Sequence, residues 1–178
     1  VSGPEGRGEV AAANRPENVF ATIHTCGKAL ASSGAFVAGS QTLKNFLINR
    51  ARPFIFSTAL PPYIAIQVRT AIRLARQAEE KRTQLYKMGS NLRTRLRQGG
   101  LECGKSDSQI VPVILRTNET ALRVSALLER NGLLVRAIRP PTVPEGTARL
   151  RISLNTTIQS SLVDKLVNVL HQIPAEVK

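Results

Sequence analysis

The stretch 62–98 constrains the chain most. Apolar side chains at Ile64, Val68, Ala71, Ile72, Ala75 and Ala78 recur at intervals of three and four, and Leu85, Met88, Leu92 and Leu96 continue the stripe. Pro62 suits a first helical turn and Gly99 with Gly100 a stop, so the spacing predicts one helix over 62–98. Its other face carries Arg69, Arg73, Arg76, Lys81, Arg82 and Lys87 and reads as solvated. The expected organisation is residues 1–60, a connecting helix over 61–98, and a small domain over 99–178.

Residues 1–18 are rich in Gly, Pro and Ala and predict a loop. VFATIHT, 19–25, predicts a strand, AFVAGS a second short apolar run, and SQTLKNFLINRA a helix capped by Ser40 with Leu43, Phe46 and Leu47 on one face. PFIFST, 53–58, predicts another strand, stopped by Pro61 and Pro62. Past residue 99 the texture changes. IVPVILR reads as a strand, and Thr117 or Asn118 caps a helix through Leu122, Ala126 and Glu129 that Gly132 stops. LLVRAIR and ARLRISL read as strands flanking the loop PPTVPEGT, and a last helix spans 158–173 with Leu162, Leu166, Val169 and Leu170 inward. The order β-α-β-β-α predicts a two-layer α+β module. No internal repeat or low-complexity tract is seen.

The 178 residues hold 25 Lys and Arg against 12 Asp and Glu, a net charge of +13. Such an excess raises nucleic acid as a partner, with the arginine-rich helix 69–97 as the binding element. Against this, the charges are spread along the chain, and with 4% aromatic residues stacking platforms are scarce. No zinc-finger or RNA-recognition signature appears, so the expectation is no nucleic-acid partner. No apolar stretch is long enough to span a bilayer, and VSGPEGRGEV has neither the basic start nor the apolar run of a signal peptide, so a cytoplasmic protein with no membrane partner is expected. Cys26 and Cys103 lack paired spacing and a His cluster, which predicts free thiols in a reducing compartment and no metal site.

One lysine stands out. In HTCGKALASSGAFVAGS, 24–40, Lys28 lies between a strand-like run and a tail of small residues. A lysine used covalently must shed its proton, and an apolar, charge-poor setting favours the neutral amine. Gly27 removes a side chain where a planar ring could approach, and Thr25 offers a hydroxyl and an amide to an anion. A pyridoxal phosphate Schiff base fits these requirements. TCGK is a short pattern, and from spacing alone a solvated turn lysine stands beside the cofactor lysine as an alternative.

Two further blocks, RARPFIFSTALPP at 50–62 and AIRPPTVPEGTARLRISL at 137–154, follow HTCGKALASSGAFVAGS in order. Together the three resemble the α-oxoamine synthases, a branch of the fold-type-I pyridoxal-phosphate enzymes, over nearly the whole chain. The resemblance implies an α/β fold: the C-terminal remnant of a pyridoxal-phosphate-binding large domain over 1–60, then the connecting helix and a small α+β domain. It implies pyridoxal 5'-phosphate as cofactor, with Lys28 as the lysine that holds it and later moves the substrate's α-proton. Thr25 resembles a phosphate ligand of the same subunit. Ser57 and Thr58 fall where the family sends a hydroxyl across a homodimer interface toward that phosphate. Arg151 matches the residue that binds the amino-acid carboxylate, a task suited to a bidentate fork, and Thr142 falls in a loop that lines the acyl-chain channel. Arg149 points to the same strand face and reads better as a solvated residue.

The RPPTVPEGTARLR block favours the family's branch that condenses L-alanine with pimeloyl-CoA or pimeloyl carrier protein, with decarboxylation, in biotin biosynthesis. Sister synthases using glycine and other acyl-CoA thioesters are the alternative within the family, and a basic nucleic-acid-binding module the alternative outside it. The family's Asp-Glu-Ala-His-Gly block, whose Asp pairs with the pyridine nitrogen, has no counterpart here, and neither Glu5, Glu9 nor Glu17 replaces it. The expectation is therefore the C-terminal portion of such an enzyme, not competent by itself, with unpaired sheet edges and exposed apolar faces.

Overall fold

The structure, a computed structural model, describes residues 2–14 and 16–174. It divides into two compact units, Val1–Glu80 and Lys81–Lys178. In the first unit the loop predicted over 1–18 carries short helical turns, among them α1 (Glu9–Ala12); Val1 and Arg15 lie outside the described residues. Strands β1 (Ala21–Thr25) and β2 (Ala35–Gly39) pair antiparallel, with Thr25 opposite Ala35 and Ala21 opposite Gly39. Helix α2 (Gln41–Arg50) starts where Ser40 predicts it, the Ser40 hydroxyl accepting a hydrogen bond from the Leu43 amide at 3.1 Å.

Two predicted elements differ. The strand expected over 53–58 is instead a helical turn, α3 (Arg52–Ile55), followed by irregular chain. Pro53 falls in its first turn, where its fixed φ suits a helix and its missing N–H costs nothing. The β-type composition of PFIFST describes side chains suited to a packed surface, and with no partner strand among the described residues they do not make a sheet. The single helix expected over 62–98 is two helices, α4 (Pro62–Arg76) and α5 (Glu79–Gln98). The break divides the stretch expected as a connecting helix, α4 lying in the first unit and nearly all of α5 in the second. The Gln77 amide closes on the carbonyls of Arg73 and Ala75, and Glu79 and Glu80 open the next helix, where negative charge meets unbonded amides. Ala78 and Leu85 are seven residues apart in sequence, the spacing of two helical turns, so the apolar stripe runs across the break without marking it.

The second unit contains the core. Strand β3 (Ile110–Arg116) is followed by α6 (Asn118–Arg130), β4 (Arg136–Ile138), β5 (Ala148–Ser153) and α7 (Ser160–His171), the predicted β-α-β-β-α order. The strands form an antiparallel sheet in the order β3-β5-β4, with β5 central. Pro112 is tolerated because β3 is an edge strand, where a missing N–H breaks no interior ladder. Along β5 the side chains alternate: Ala148, Leu150 and Ile152 are buried while Arg149, Arg151 and Ser153 are not. Val111, Val113 and Leu115 join them from β3, and Ala121, Val124 and Leu128 of α6 close over them at helical spacing. Helix α7 adds Val163, Leu166, Val167, Val169 and Leu170; Leu162, expected inward, is 43% exposed.

Helix ends are set by side chain and glycine as predicted. Thr117 Oγ1 accepts from the Thr120 amide at 3.1 Å to start α6. Gly132, at φ +75°, ends it, and the Leu133 amide reaches back to the Leu128 carbonyl while its side chain is buried. The solvated face expected along 69–87 fails at Arg82, which is buried and engaged in a further interaction. Arg93 is also buried, where it donates to the Ser108 and Asp107 carbonyls at 2.6 and 3.2 Å and ties α5 to the loop before β3.

Leu150, fully buried at the centre of the middle strand, gives the most direct test of this core. Leu150→Ala is expected to lower the unfolding free energy of the second unit by about 2–5 kcal/mol, read as a shift in urea midpoint without loss of cooperativity.

Candidate functional site

The β1–β2 hairpin presents Lys28 on its connecting loop, and main-chain hydrogen bonds fix that loop. The Cys26 amide donates to the Gly34 carbonyl at 2.9 Å, the Ser32 amide to the Cys26 carbonyl at 2.9 Å, and the Ala31 amide to the Lys28 carbonyl at 3.0 Å. Lys28 thus begins a closed turn in which its backbone is held while its side chain is exposed. The apolar, charge-poor enclosure expected around it is not supplied by the described residues, because the small residues that follow form the turn itself and leave its outer side open. No carboxylate pairs with Lys28 among the described residues.

Thr25 ends β1, three residues before the lysine, with its side chain exposed and its hydroxyl without a partner among the described residues. Ser57 and Thr58 follow α3 in the same unit, also exposed. The hydroxyl of Ser32, in the Lys28 loop, is buried without a hydrogen-bond partner. Sequence reading passed over it as one of a run of small residues, and only the closed turn shows its isolation. An amine for a carbonyl carbon and free hydroxyls for a phosphate are a donor set that fits pyridoxal phosphate. The acids Glu5, Glu9 and Glu17 are exposed, and Glu5 pairs with Arg7 at 2.9 Å, so none stands as a buried partner for a pyridine nitrogen.

Gly27 is not demanded by the turn. A Cβ built there meets only the Ser32 carbonyl oxygen at 3.6 Å, an ordinary contact. Gly34 contrasts with it, at φ +78° and with a Cβ 2.8 Å from Leu60 Cδ1. An apolar cleft of about 440 Å³ runs along the flank of this hairpin, with Cys26, Phe36, Leu60, Val68 and Ile72 in its wall; neither Lys28, Thr25, Ser57 nor Thr58 lines it.

Arg151 and Thr142 belong to the second unit. Arg151 is exposed on β5, directly across from Arg136 of β4 and Pro112 of β3. Thr142 is exposed in the β4–β5 loop, its amide donating to the Arg139 carbonyl at 3.0 Å. Arg149, expected as a solvated residue, is partly buried and donates from Nε to the Thr147 carbonyl at 2.9 Å. Arg136 was not singled out from the sequence, although the alternation in LLVRAIR carries the signal. The two cysteines are free and buried, and burial pushes the Cys103 thiol upward, against the pull of Arg97 and Arg93 and with a further rise from Glu102.

The two glycines give a direct check on the turn. Gly27→Ala is expected to leave stability within about 0.5 kcal/mol of the parent, whereas Gly34→Ala costs about 1 kcal/mol or more, both read by chemical denaturation.

Comparison with known proteins gives the family and the fold. The family model for aminotransferase class I and II matches residues 2–170. The chain is 45% identical over 171 residues to 8-amino-7-oxononanoate synthase of Xylella fastidiosa strain M12, covering 96% of this chain and 43% of that protein. It therefore spans less than half the length of such curated relatives. Among solved structures it superimposes on Sphingomonas wittichii serine palmitoyltransferase with a TM-score of 0.87 at 29% identity, covering 95% of this chain and 43% of the other. The 8-amino-7-oxononanoate synthase of Francisella tularensis gives 0.86 at 25%, over 97% and 51%. A further match at 0.87 and 30% identity, over 95% and 43%, is a serine palmitoyltransferase with PLP bound as an internal aldimine, which together with the family supports pyridoxal phosphate as the cofactor. No helix among the described residues is long and apolar enough to cross a membrane. The family model over nearly the whole chain and the structural matches agree: the chain belongs to the aminotransferase class I and II family, within the fold-type-I pyridoxal-phosphate enzymes.

Proposed function

We propose that this chain is part of a pyridoxal-phosphate-dependent acyltransferase that condenses L-alanine with pimeloyl-CoA or pimeloyl carrier protein, releasing carbon dioxide and the thiol, to give 8-amino-7-oxononanoate for biotin synthesis. The observation that carries it is the Lys28 turn, a backbone-fixed amine without an acidic partner among the described residues, in a chain 45% identical to a protein of that name. When bound, pyridoxal phosphate supplies the electron sink for charge developing on the amino-acid α-carbon.

Under this proposal Lys28 holds the cofactor through its ε-amine and, once displaced by the amino acid, takes the α-proton and returns it to the product. Thr25 donates its hydroxyl to the cofactor phosphate. Ser57 or Thr58 offers a second hydroxyl to the phosphate of a partner subunit in a homodimer; their exposure in the single chain supports that use. Arg151 takes the alanine carboxylate as a bidentate ligand, and Thr142 lines the path of the acyl chain. Enclosure of Lys28, which the described residues do not provide, falls to the remaining length present in the curated relatives.

The test is made on this chain joined to the remaining length of the Xylella fastidiosa enzyme. The joined protein is expected to form 8-amino-7-oxononanoate from L-alanine and a pimeloyl thioester, with Lys28→Ala reducing turnover by at least about 10³-fold, a barrier change of about 4 kcal/mol. Preference for glycine with acetyl, succinyl or long-chain thioesters would move the assignment to a sister synthase, and full turnover by Lys28→Ala would remove it.

A further inference from the structure

Arg136 of β4 and Arg151 of β5 are directly opposite one another in the antiparallel pair, so both side chains leave the same face of the sheet, and both are exposed. In such a pair the Cβ atoms are about 5 Å apart, and like charges so placed destabilise the sheet. Nothing relieves the repulsion: neither guanidinium has an acidic partner among the described residues. On the other side of Arg151 the opposing residue is Pro112, which carries no charge. Arg149, two residues along β5 on the same face, adds a third positive charge and already gives its Nε to the Thr147 carbonyl at 2.9 Å. The core fixes this arrangement, because burial of Ala148, Leu150 and Ile152 decides which face of β5 turns outward and so keeps Arg151 beside Arg136. An unfavourable contact that the packing beneath holds in place is the kind of cost that function retains.

We propose that Arg136 and Arg151 form one site for a carboxylate, with Arg136 as a second ligand to the anion that Arg151 takes. An ionised carboxylate has two oxygens and about four lone-pair positions, so a fork from Arg151 uses half of them and leaves the rest open to a second guanidinium. An anion seated between the two groups replaces their mutual repulsion with two attractions. The existence of the site rests on the strand register alone. That its carboxylate belongs to the amino-acid substrate rests on the acyltransferase function proposed above. Under that reading Arg136 binds substrate away from the reacting atoms, so its effect falls on affinity and not on turnover.

The first arm of the test titrates N-acetyl-L-alanine, which carries alanine's carboxylate with the amine neutralised, into the full chain without pyridoxal phosphate and follows the arginine Nε–H signals by NMR. The signals of Arg136 and Arg151 are expected to move together with one Kd, while that of Arg123, on α6, stays still. Arg136→Gln should weaken the binding seen at Arg151 about tenfold, equivalent to about 1.4 kcal/mol, and Arg136→Lys should keep part of it. The same Arg136→Gln chain, free of ligand, should show a raised urea midpoint because the repulsion is gone; a residue of purely structural value would lower it. The proposal is overturned if Arg151 binds equally well in Arg136→Gln, if no saturable binding occurs, if Arg123 moves as far as the pair, or if the midpoint falls. The second arm uses the chain joined to the remaining length of the Xylella fastidiosa enzyme and loaded with cofactor, where Arg136→Gln should raise KM for L-alanine about tenfold with kcat retained. Binding in the first arm without product in the second would uphold the anion site and overturn the synthase reading. Product with an unchanged KM in Arg136→Gln would uphold that reading and overturn the assignment of Arg136 to the amino acid.

Discussion

Burial of one face of the β3-β5-β4 sheet is the interaction on which the second unit depends. Leu150, Val111 and Val113 are fully buried there, and α5, α6 and α7 cover them with Leu92, Leu96, Leu128 and Leu170. Strand side chains alternate, so putting Ala148, Leu150 and Ile152 inward forces Arg149 and Arg151 outward. A slip of one residue in the β5 register would bury both arginines and expose the leucine. The packing that stabilises the unit is therefore also what aims its candidate substrate residues, and no separate device is needed to hold Arg151 on the open face.

The first unit is organised differently. Among its described residues Cys26 is the one buried apolar side chain, while Phe20, Ile23 and Phe56 are more than 70% exposed. Lys28 is placed by the main-chain bonds of its hairpin loop, not by a core around it. Such a turn fixes where the amine begins and leaves its side chain exposed. The chain spans 43% of the length of such a curated relative, and the described residues form no enclosure around the lysine.

The parts legible in the sequence are those where local chemistry and tertiary packing ask for the same thing. Ser40 and Thr117 cap helices because a hydroxyl satisfies an open amide wherever the helix packs. The period of two along ARLRISL identified β5, and Gly132 the end of α6, for similarly local reasons. PFIFST misled because its aromatic and β-branched residues report a surface to be covered, and Pro53 fits a helix start equally well. The break between α4 and α5 was invisible to periodicity, and Arg82 and Arg93 were hidden because a long side chain can be buried once its head finds a partner or backbone carbonyls. Lys28, Thr25 and Arg151 are candidates because the sequence blocks that carry the family resemblance contain them. The pairing of Arg136 with Arg151 needed the strand register, which no local pattern contains.

The central claim is that Lys28 is the lysine that takes pyridoxal phosphate. The most direct measurement incubates the chain, joined to the remaining length of a curated relative, with pyridoxal phosphate, reduces it with borohydride, and maps the phosphopyridoxyl group by peptide mass spectrometry. Label confined to the peptide containing Lys28, and lost in Lys28→Ala, is the predicted result. Label spread over other lysines with Lys28 unmodified, or undiminished in the variant, would contradict the account.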